Sequence, residues 1–295
     1  MKMAVIGAGK WGQALYHAYS QNNDVVIYSR TFRDIENFVS LGEALDREYI
    51  VMAIPAQSVR GWMRDHFIDR GQDILVAAKG IETSTGAFLN DIYGEFVDED
   101  RLCYISGPSF ATEVKESLPT ALIISSTNQT LAREFADALP SFIKGYVDDD
   151  VVGAEVSGAY KNVIAIAGGV ADGLGLGNNA RAALISRGLV EMARFGAYFG
   201  ARAETFLSLG GAGDLFLTAS STLSRNYRVG LGLAEGRSIN YILQELGEVA
   251  EGVPTSIALH RIAKSKNLYL PIADEVYNMI ERDKSPMESV RDLLG

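Results

Sequence analysis

A lysine inside a long apolar stretch is the residue whose surroundings best suit proton transfer. Lys161 lies in the segment Gly153 to Asp172, where Glu155 is the only other charge before the last residue. Burial of an ammonium group lowers its pKa towards the range that a general acid or base needs. The same lysine could instead be structural, paired with Glu155 or Asp214, or it could extend to the surface. The sequence leaves both roles open.

Further polar clusters occur where strands or helices are expected to end. They are Lys79-Gly80, Ser106-Gly107-Pro108-Ser109-Phe110, Gly210-Gly211-Ala212-Gly213-Asp214 and Ser224-Arg225-Asn226. Ligands of open α/β sheets bind beyond the carboxyl ends of the strands, so Lys79 and the run 106–110 are expected to face one substrate crevice. The tripeptide 224–226 offers a hydroxyl, a guanidinium and an amide just before a helix. It is a candidate phosphate cradle, although such tripeptides are also common in surface turns.

A glycine-rich turn follows the first apolar run of the chain. The turn, Gly7-Ala8-Gly9-Lys10-Trp11-Gly12, comes after a strand-like segment and opens a helix-like one, which is the context that a GxGxxG motif requires. Gly7 would permit the tight turn, Gly9 the approach of a pyrophosphate and Gly12 close packing of helix on sheet. The pattern indicates a dinucleotide site; the alternative is a turn that binds nothing.

The end of the second strand bears on the choice of coenzyme. An acidic residue is expected there for the adenosine ribose of NAD, but the chain has Val26-Ile27-Tyr28-Ser29-Arg30. The guanidinium of Arg30 suits a 2′-phosphate, which favours NADPH over NADH. Arg30 could also be a solvated loop charge. The predicted cofactor is therefore NADP or NAD, with NADPH favoured.

These residues require an α/β fold followed by helices. Predicted strands are Lys2 to Ile6, Val25 to Ser29, Tyr49 to Ile54, Ile74 to Ala78, Leu102 to Ile105, Thr120 to Ser125 and, less clearly, Phe142 to Val147, with Asn37 to Ser40 a short or degenerate strand. Predicted later helices are Gly153 to Asp172, Asn179 to Phe199, Arg228 to Glu235, Ser238 to Gly247, Ser256 to Ser265 and Ala273 to Arg282. The fold class is α/β, with an N-terminal Rossmann doubly wound sheet in residues 1–148 and an all-α domain in residues 149–295. The apolar helix from Gly153 is expected in the interior or at a subunit interface.

Composition excludes several classes of protein. The 295 residues carry a net charge of −10, which disfavours nucleic acid and anionic lipid as partners. The single cysteine, Cys103, cannot form an internal disulfide, and the three histidines show no metal-ligand spacing, so no metal is predicted. Neither a signal peptide nor a membrane span is expected, and the chain is interpreted as cytoplasmic.

Taken in order, the motifs resemble those of the bacterial-type NAD(P)-dependent glycerol-3-phosphate dehydrogenases. The matching segments run from the turn 7–12 through Lys79-Gly80, 105–111, Lys161-Asn162-Val163-Ile164-Ala165, 178–184, Gly213-Asp214-Leu215 and Ser224-Arg225-Asn226 to Val249-Ala250-Glu251-Gly252. The resemblance implies a homodimer that interconverts dihydroxyacetone phosphate and sn-glycerol 3-phosphate at the entry to phospholipid synthesis. The stretch after Arg30 is shorter than the family commonly shows.

The resemblance also implies roles for individual residues. Lys161 matches the proton acceptor, and Lys79 and Asp214 are placed with it in the catalytic group. Positions that match substrate contacts are Lys79, Gly107, Ser109, Lys161, Asp214, Ser224, Arg225 and Asn226. Positions that match coenzyme contacts are Lys10, Trp11, Arg30, Lys79, Ala111, Arg225, Val249 and Glu251, in addition to Gly7, Gly9 and Gly12. In the implied reaction the nicotinamide gives hydride to the carbonyl carbon while Lys161 gives a proton to its oxygen.

Two other functions are compatible with the same motifs. One is a related two-domain NADP-dependent dehydrogenase that acts on a hydroxy acid or a sugar acid, whose substrates carry a carboxylate in place of a phosphate. The other is a non-catalytic NADPH sensor, for which Lys161, Lys79 and Asp214 would be superfluous.

Overall fold

The computed structural model describes residues 1–294, which separate into two compact units. The first unit contains residues 1–78 and 89–154, and the second contains residues 79–88 and the chain from Glu155 onwards. Gly295, the last residue of the predicted second domain, lies outside the described residues.

The first unit is built on one sheet of seven strands. The strands are β1 (Lys2–Ile6), β2 (Asp24–Tyr28), β3 (Tyr49–Met52), β4 (Asp73–Val76), β5 (Leu102–Ser106), β6 (Thr120–Ser125) and β7 (Ile143–Asp148). Their order is β2-β1-β3-β4-β5-β6-β7, and every neighbouring pair is parallel except β5 and β6. The predicted strands, including the less clear seventh, and the mostly parallel sheet are confirmed.

The short segment after Arg30 is a degenerate strand. A single parallel bridge joins Ile27 of β2 to Phe38. The Ile27 N–H donates to the Asn37 carbonyl at 3.0 Å, and the Val39 N–H donates to the Ile27 carbonyl at 3.0 Å. The chain therefore touches the outer edge of β2 without forming an eighth strand.

Helices cover both faces of this sheet. They are α1 (Lys10–Ser20), α2 (Leu41–Leu45), α3 (Val59–His66), α4 (Leu89–Tyr93), α5 (Ala111–Lys115) and α6 (Gln129–Asp137). Successive side chains of a strand point to opposite faces. Met3 of β1 belongs to the main core cluster with Leu15 and Phe135, whereas Ala4 packs in a separate cluster with Ala44. Successive side chains of β1 therefore pack in cores on opposite faces of the sheet, which is the doubly wound arrangement that the sequence predicts.

The second unit is helical. Its elements are α7 (Val151–Gly173, of which the first four residues belong to the first unit), α8 (Gly177–Tyr198), α9 (Ala203–Leu207), a π-helical turn (Leu209–Gly213), α10 (Asp214–Thr218), α11 (Arg225–Ala234), α12 (Ile239–Leu246), α13 (Gly252–Lys266), α14 (Pro271–Glu281) and α15 (Pro286–Leu294). Helix α7 is buried from Gly153 to Ala171 within a single chain, so the interior position predicted for it is confirmed. No helix within residues 1–294 is long and apolar enough to cross a membrane.

Two predicted helices begin three or four residues earlier than expected. Helix α11 starts at Arg225 instead of Arg228, because the Ser224 hydroxyl accepts the Tyr227 N–H at 3.2 Å and caps the helix. Arg225 and Asn226 therefore lie in its first turn and not ahead of it. Helix α13 starts at Gly252 instead of Ser256.

Candidate active site

The glycine-rich turn keeps the start of α1 clear of side chains. Gly7 has φ +111°, and a Cβ there would lie 2.4 Å from the Ala53 carbonyl oxygen. A Cβ at Gly12 would lie 1.8 Å from the Gly7 carbonyl oxygen, so both positions exclude side chains. At Gly9, by contrast, a Cβ would have no atom of the described chain within 4 Å, and no described side chain caps the helix. The open N-terminus fits a pyrophosphate, because its amides and the helix dipole both stabilise an anion.

The other candidate coenzyme residues of the first unit lie at strand ends and helix starts. Arg30 follows the carboxyl end of β2, which pairs with β1, and both Arg30 and Lys10 are exposed. Trp11 and Ala111 are half-buried and pack against the main core cluster. Arg30 and the glycine turn therefore share one edge of the sheet, which is where a bound dinucleotide would run.

Gly107 and Ser109 follow β5 in the same unit. Gly107 is buried and has φ +120°, and the Ser109 hydroxyl donates to the Gly107 carbonyl at 3.2 Å. This turn is built around the glycine, because an added Cβ would lie 2.9 Å from the Ala121 carbonyl oxygen.

The second unit brings Lys161, Lys79 and Asp214 together. The Lys161 ammonium donates to Asp214 Oδ1, and the Lys79 ammonium donates to Asp214 Oδ2 at 2.7 Å. The Lys161 ammonium also donates to the Thr218 hydroxyl at 3.0 Å, and that hydroxyl donates to Asp214 Oδ1 at 3.2 Å. Lys161 is 7% exposed and Asp214 is 1% exposed. One buried carboxylate therefore holds two cations.

The electrostatics of this cluster favour proton transfer by Lys161. Burial lowers the pKa of Lys161 to about 7; the Asp214 carboxylate opposes the shift, and the Lys79 ammonium adds to it. Burial raises the pKa of Asp214, but the two ammonium groups outweigh this and hold it below its usual value. The carboxylate thus stays ionised at neutral pH while the Lys161 amine exists in both protonation states.

The fold of the second unit fixes these side chains from several elements. Lys161 lies on α7, and the π-helical turn 209–213 leads into α10, which begins at Asp214. Gly158 lies one turn before Lys161 on α7, and a Cβ there would lie 3.2 Å from Lys79 Cγ. The aliphatic part of the Lys79 side chain therefore packs directly on the α7 backbone at this glycine. The small residue lets a second lysine reach the same carboxylate.

The predicted phosphate cradle is partly engaged within the protein. Asn226 is buried, donates its amide to Asn162 Oδ1 at 2.9 Å and accepts the Gly252 N–H at 2.9 Å. Ser224 is buried as the cap of α11, whereas the side chain of Arg225 is 40% exposed and lies 3.7 Å from Glu248. Arg225 is thus the member of the tripeptide with a side chain accessible to a ligand. Two predicted coenzyme contacts follow Arg225 in the sequence. Val249 is exposed, and Glu251 is half-buried at the start of α13.

Comparison with known proteins identifies the family. Residues 150–291 match the family model described as the NAD-dependent glycerol-3-phosphate dehydrogenase C-terminus, and residues 33–132 match the corresponding N-terminus. A glycerol-3-phosphate dehydrogenase (NAD(P)+) of Sulfurimonas denitrificans is 62% identical over the whole chain and 99% of the relative. The chain belongs to the NAD-dependent glycerol-3-phosphate dehydrogenase family. The resemblance inferred from the motifs is confirmed.

Further relatives agree with this assignment. A glycerol-3-phosphate dehydrogenase (NAD(P)+) of Campylobacter jejuni subsp. doylei is 57% identical over 100% of the chain and 99% of the relative. The crystal structure of glycerol-3-phosphate dehydrogenase from Coxiella burnetii superposes with a TM-score of 0.90 at 31% identity, covering 99% of this chain and 98% of that one. This dehydrogenase therefore has the fold of its family along its whole length.

The sequence motifs do not include the hydroxyl that contacts the Lys161 amine. Thr218 contacts both Lys161 and Asp214, and it lies outside every motif of the sequence analysis. The available signal was its spacing of four residues from Asp214, which places both on one face of a helix. The partners of Asn226 carried no comparable signal, because Asn162 is 64 residues away in the chain.

Proposed function

We propose that this chain interconverts dihydroxyacetone phosphate and sn-glycerol 3-phosphate with NADPH or NADH, with Lys161 as the residue that exchanges the proton. The observation that carries this proposal is the cluster of Lys161, Asp214 and Lys79, in which a buried amine has a pKa of about 7. A general acid or base works best when its pKa lies near the working pH. The coenzyme supplies the hydride when it is bound.

Each side chain of the cluster would have its own part. The Lys161 ammonium would give its proton to the oxygen of the reduced carbonyl, and the neutral amine would take it back in the oxidation direction. Asp214 would hold the Lys161 amine in place. Its negative charge would also offset the positive charge of the two lysines. Lys79 would place a positive charge near the substrate oxygen and would stabilise the negative charge that develops on that oxygen. Its shared bond to Asp214 supports this placement.

The other residues matched by the resemblance complete the proposal. The proposed substrate contacts are Lys79, Gly107, Ser109, Lys161, Asp214, Ser224, Arg225 and Asn226. The proposed coenzyme contacts are Gly7, Gly9, Lys10, Trp11, Gly12, Arg30, Lys79, Ala111, Arg225, Val249 and Glu251. We assign phosphate binding chiefly to Arg225, since its guanidinium is the accessible charge of its tripeptide.

We further propose that residues 1–148 are the coenzyme-binding domain and residues 149–295 the substrate-binding and dimerisation domain. The protein would act as a cytoplasmic homodimer that feeds phospholipid synthesis. The accessible turn at Gly9 supports the first role, and the pair of Lys161 and Asp214 supports the second. Sedimentation analysis of the purified chain tests the dimer: a single species at the mass of one chain would exclude it.

Replacing the reactive amine tests the mechanism. Lys161→Ala should lower kcat by a factor of about 10² to 10⁴ while leaving coenzyme affinity nearly unchanged. The measurement is the initial rate at the nicotinamide absorbance band, with dihydroxyacetone phosphate and each reduced coenzyme in turn. Lys284→Ala is the matched control, because that lysine is also ion-paired but lies between Glu275 and Asp292. An unaffected kcat in Lys161→Ala would remove this residue from the mechanism.

A second variant tests how the substrate phosphate is held. Arg225→Ala should chiefly raise the KM for dihydroxyacetone phosphate, because the phosphate would lose a charged hydrogen-bond donor. The same assay run with hydroxy acids shows whether activity follows a phosphate or a carboxylate. If the KM stays the same, the phosphate binds elsewhere.

A further inference from the structure

An exposed aromatic side chain lies just beyond the carboxyl end of β2. Phe32 is 71% exposed, two residues after Arg30 and next to Arg33. A single exposed apolar residue is ordinary on a protein surface and by itself implies nothing. Phe32 differs because its ring is supported from within the first unit.

The support is a second aromatic residue held by β2. The rings of Phe32 and Phe38 are 5.1 Å apart and meet at 71°, in an edge-to-face arrangement. Phe38 is fixed by its bridge to Ile27 and packs against the main core cluster of the unit. The ring of Phe32 is therefore braced on one side, while most of its surface remains accessible.

The backbone that carries Phe32 is also tied down. The Ser29 hydroxyl donates to the Thr31 carbonyl at 2.6 Å. The Tyr16 hydroxyl, on α1, donates to the Glu36 carbonyl at 2.7 Å and accepts the Asn37 side-chain amide at 3.3 Å. The segment around Phe32 is thus anchored to the helix that begins at the glycine turn.

We propose that Phe32, braced by Phe38, is the platform on which the adenine ring of the coenzyme stacks. The proposal rests on the coenzyme site of the proposed function. A dinucleotide on this fold runs from the start of α1 to the end of β2, where its adenosine ribose meets the residue at position 30. Adenine is attached to that same ribose, so it continues beyond the end of β2, where the accessible ring lies. An aromatic ring offers a base a flat apolar surface, and stacking there is insensitive to the other substituents of the nucleotide.

Phe32 and Arg30 then make separable contributions. Stacking on Phe32 acts on adenine, which NADPH and NADH share. The charge of Arg30 acts on the 2′-phosphate, which only NADPH carries. Loss of the ring should weaken both coenzymes by the same factor, whereas loss of the guanidinium should weaken NADPH far more.

Calorimetric titration of the full chain tests the platform without reference to turnover. The ligands are NADPH, NADH, adenosine 2′,5′-bisphosphate and reduced nicotinamide mononucleotide. Phe32→Ala should raise the Kd of the first three on the order of tenfold and leave that of the mononucleotide unchanged. Phe32→Tyr keeps a flat ring and should bind as the natural chain does. Phe32→Leu keeps apolar volume without a planar face and should lose most of the affinity that Phe32→Ala loses.

Control variants separate the possible outcomes. Tyr146→Ala removes a ring that is 49% exposed on β7, at the other edge of the same sheet, and should change none of the four Kd values. Unchanged binding of NADPH and NADH by both Phe32→Ala and Phe32→Leu would overturn the platform, and the coenzyme site itself would stand. If the unaltered chain binds neither coenzyme, the proposed function and the platform both fall.

Discussion

At the scale of single residues, Asp214 determines the charge of the proposed active site. Its carboxylate is almost fully buried and accepts hydrogen bonds from both Lys161 and Lys79. Asp214→Asn would leave the Lys79 ammonium and the Lys161 amine without the carboxylate that both contact, and removal of one member of a buried ion pair typically costs about 3 to 5 kcal/mol. We expect the midpoint of urea unfolding at neutral pH to fall accordingly. Asp24→Asn, which breaks an exposed pair with Arg47, should cost no more than about 1 kcal/mol, and an equally small loss in both variants would contradict this view of Asp214.

The same cluster predicts the pH dependence of the two reaction directions. In the proposed mechanism reduction requires the protonated amine of Lys161, so its kcat/KM should fall as pH rises through about 7. Oxidation of glycerol 3-phosphate requires the neutral amine, so its kcat/KM should rise over the same range. In Asp214→Asn the carboxylate no longer favours the charged amine, and both midpoints should move to lower pH. Rates measured across pH 5.5 to about 9 check this, and midpoints that do not move in the variant would show that another group controls the profile.

At the scale of elements, a crossing of two helices without side chains between them positions the site. Gly169 of α7 faces α11, where its Cβ would lie 2.0 Å from the Tyr227 carbonyl oxygen. Gly230 of α11 has the reciprocal constraint, because its Cβ would lie 2.0 Å from the Ile166 carbonyl oxygen. The close contact fixes the first turn of α11, including Arg225, relative to the helix that carries Lys161.

Gly169→Ala should therefore impair both folding and substrate binding. Insertion of a methyl group into such a contact forces backbone shifts that cost about 1 to 3 kcal/mol, and the displacement of α11 should raise the KM for dihydroxyacetone phosphate. Urea unfolding and steady-state kinetics measure the two effects. Gly61→Ala in α3 is the control, because a Cβ there meets no described atom within 4 Å and should stabilise the helix by up to about 1 kcal/mol. Equal behaviour of the two variants would mean that the crossing tolerates a side chain.

The elements also show how far the sequence determines the site. The strands and the glycine turn could be predicted because short continuous apolar runs and local backbone requirements depend on neighbouring residues alone. Lys161 stood out because its apolar surroundings lie along one helix. The start of α11 and the engagement of Asn226 could not be predicted, since they depend on a cap and on partners such as Asn162 that are distant in sequence. Thr218 could be predicted only in part. Its spacing from Asp214 is local in sequence, whereas its contact with Lys161 is not.

At the scale of the whole molecule, an acidic protein is proposed to bind two anionic ligands. The net charge of −10 repels a phosphorylated substrate and a dinucleotide at long range. Binding must then come from local groups: the open helix start at Gly9, the charge of Arg30, and the lysines around Asp214. Repulsion and local attraction both weaken in salt, but the buried Lys161 and the half-buried Lys79 are screened less than the exposed Arg30.

Ligand-linked stability separates the local effect of Arg30 from the overall charge. A ligand present at a hundred times its Kd stabilises the folded state by about 2.7 kcal/mol, so saturating coenzyme should raise the Tm by several degrees. Arg30→Asp places a carboxylate where the 2′-phosphate is expected, and it should abolish most of the Tm increase produced by NADPH while preserving that produced by NADH. Arg133→Asp on α6 changes the net charge by the same amount at another exposed site and should leave both increases intact. The two compact units need not unfold together, so the increases with the two coenzymes are compared within each variant and not converted to energies. If Arg30→Asp lowers both increases equally, this arginine does not distinguish the two coenzymes, and the predicted preference for NADPH loses its support.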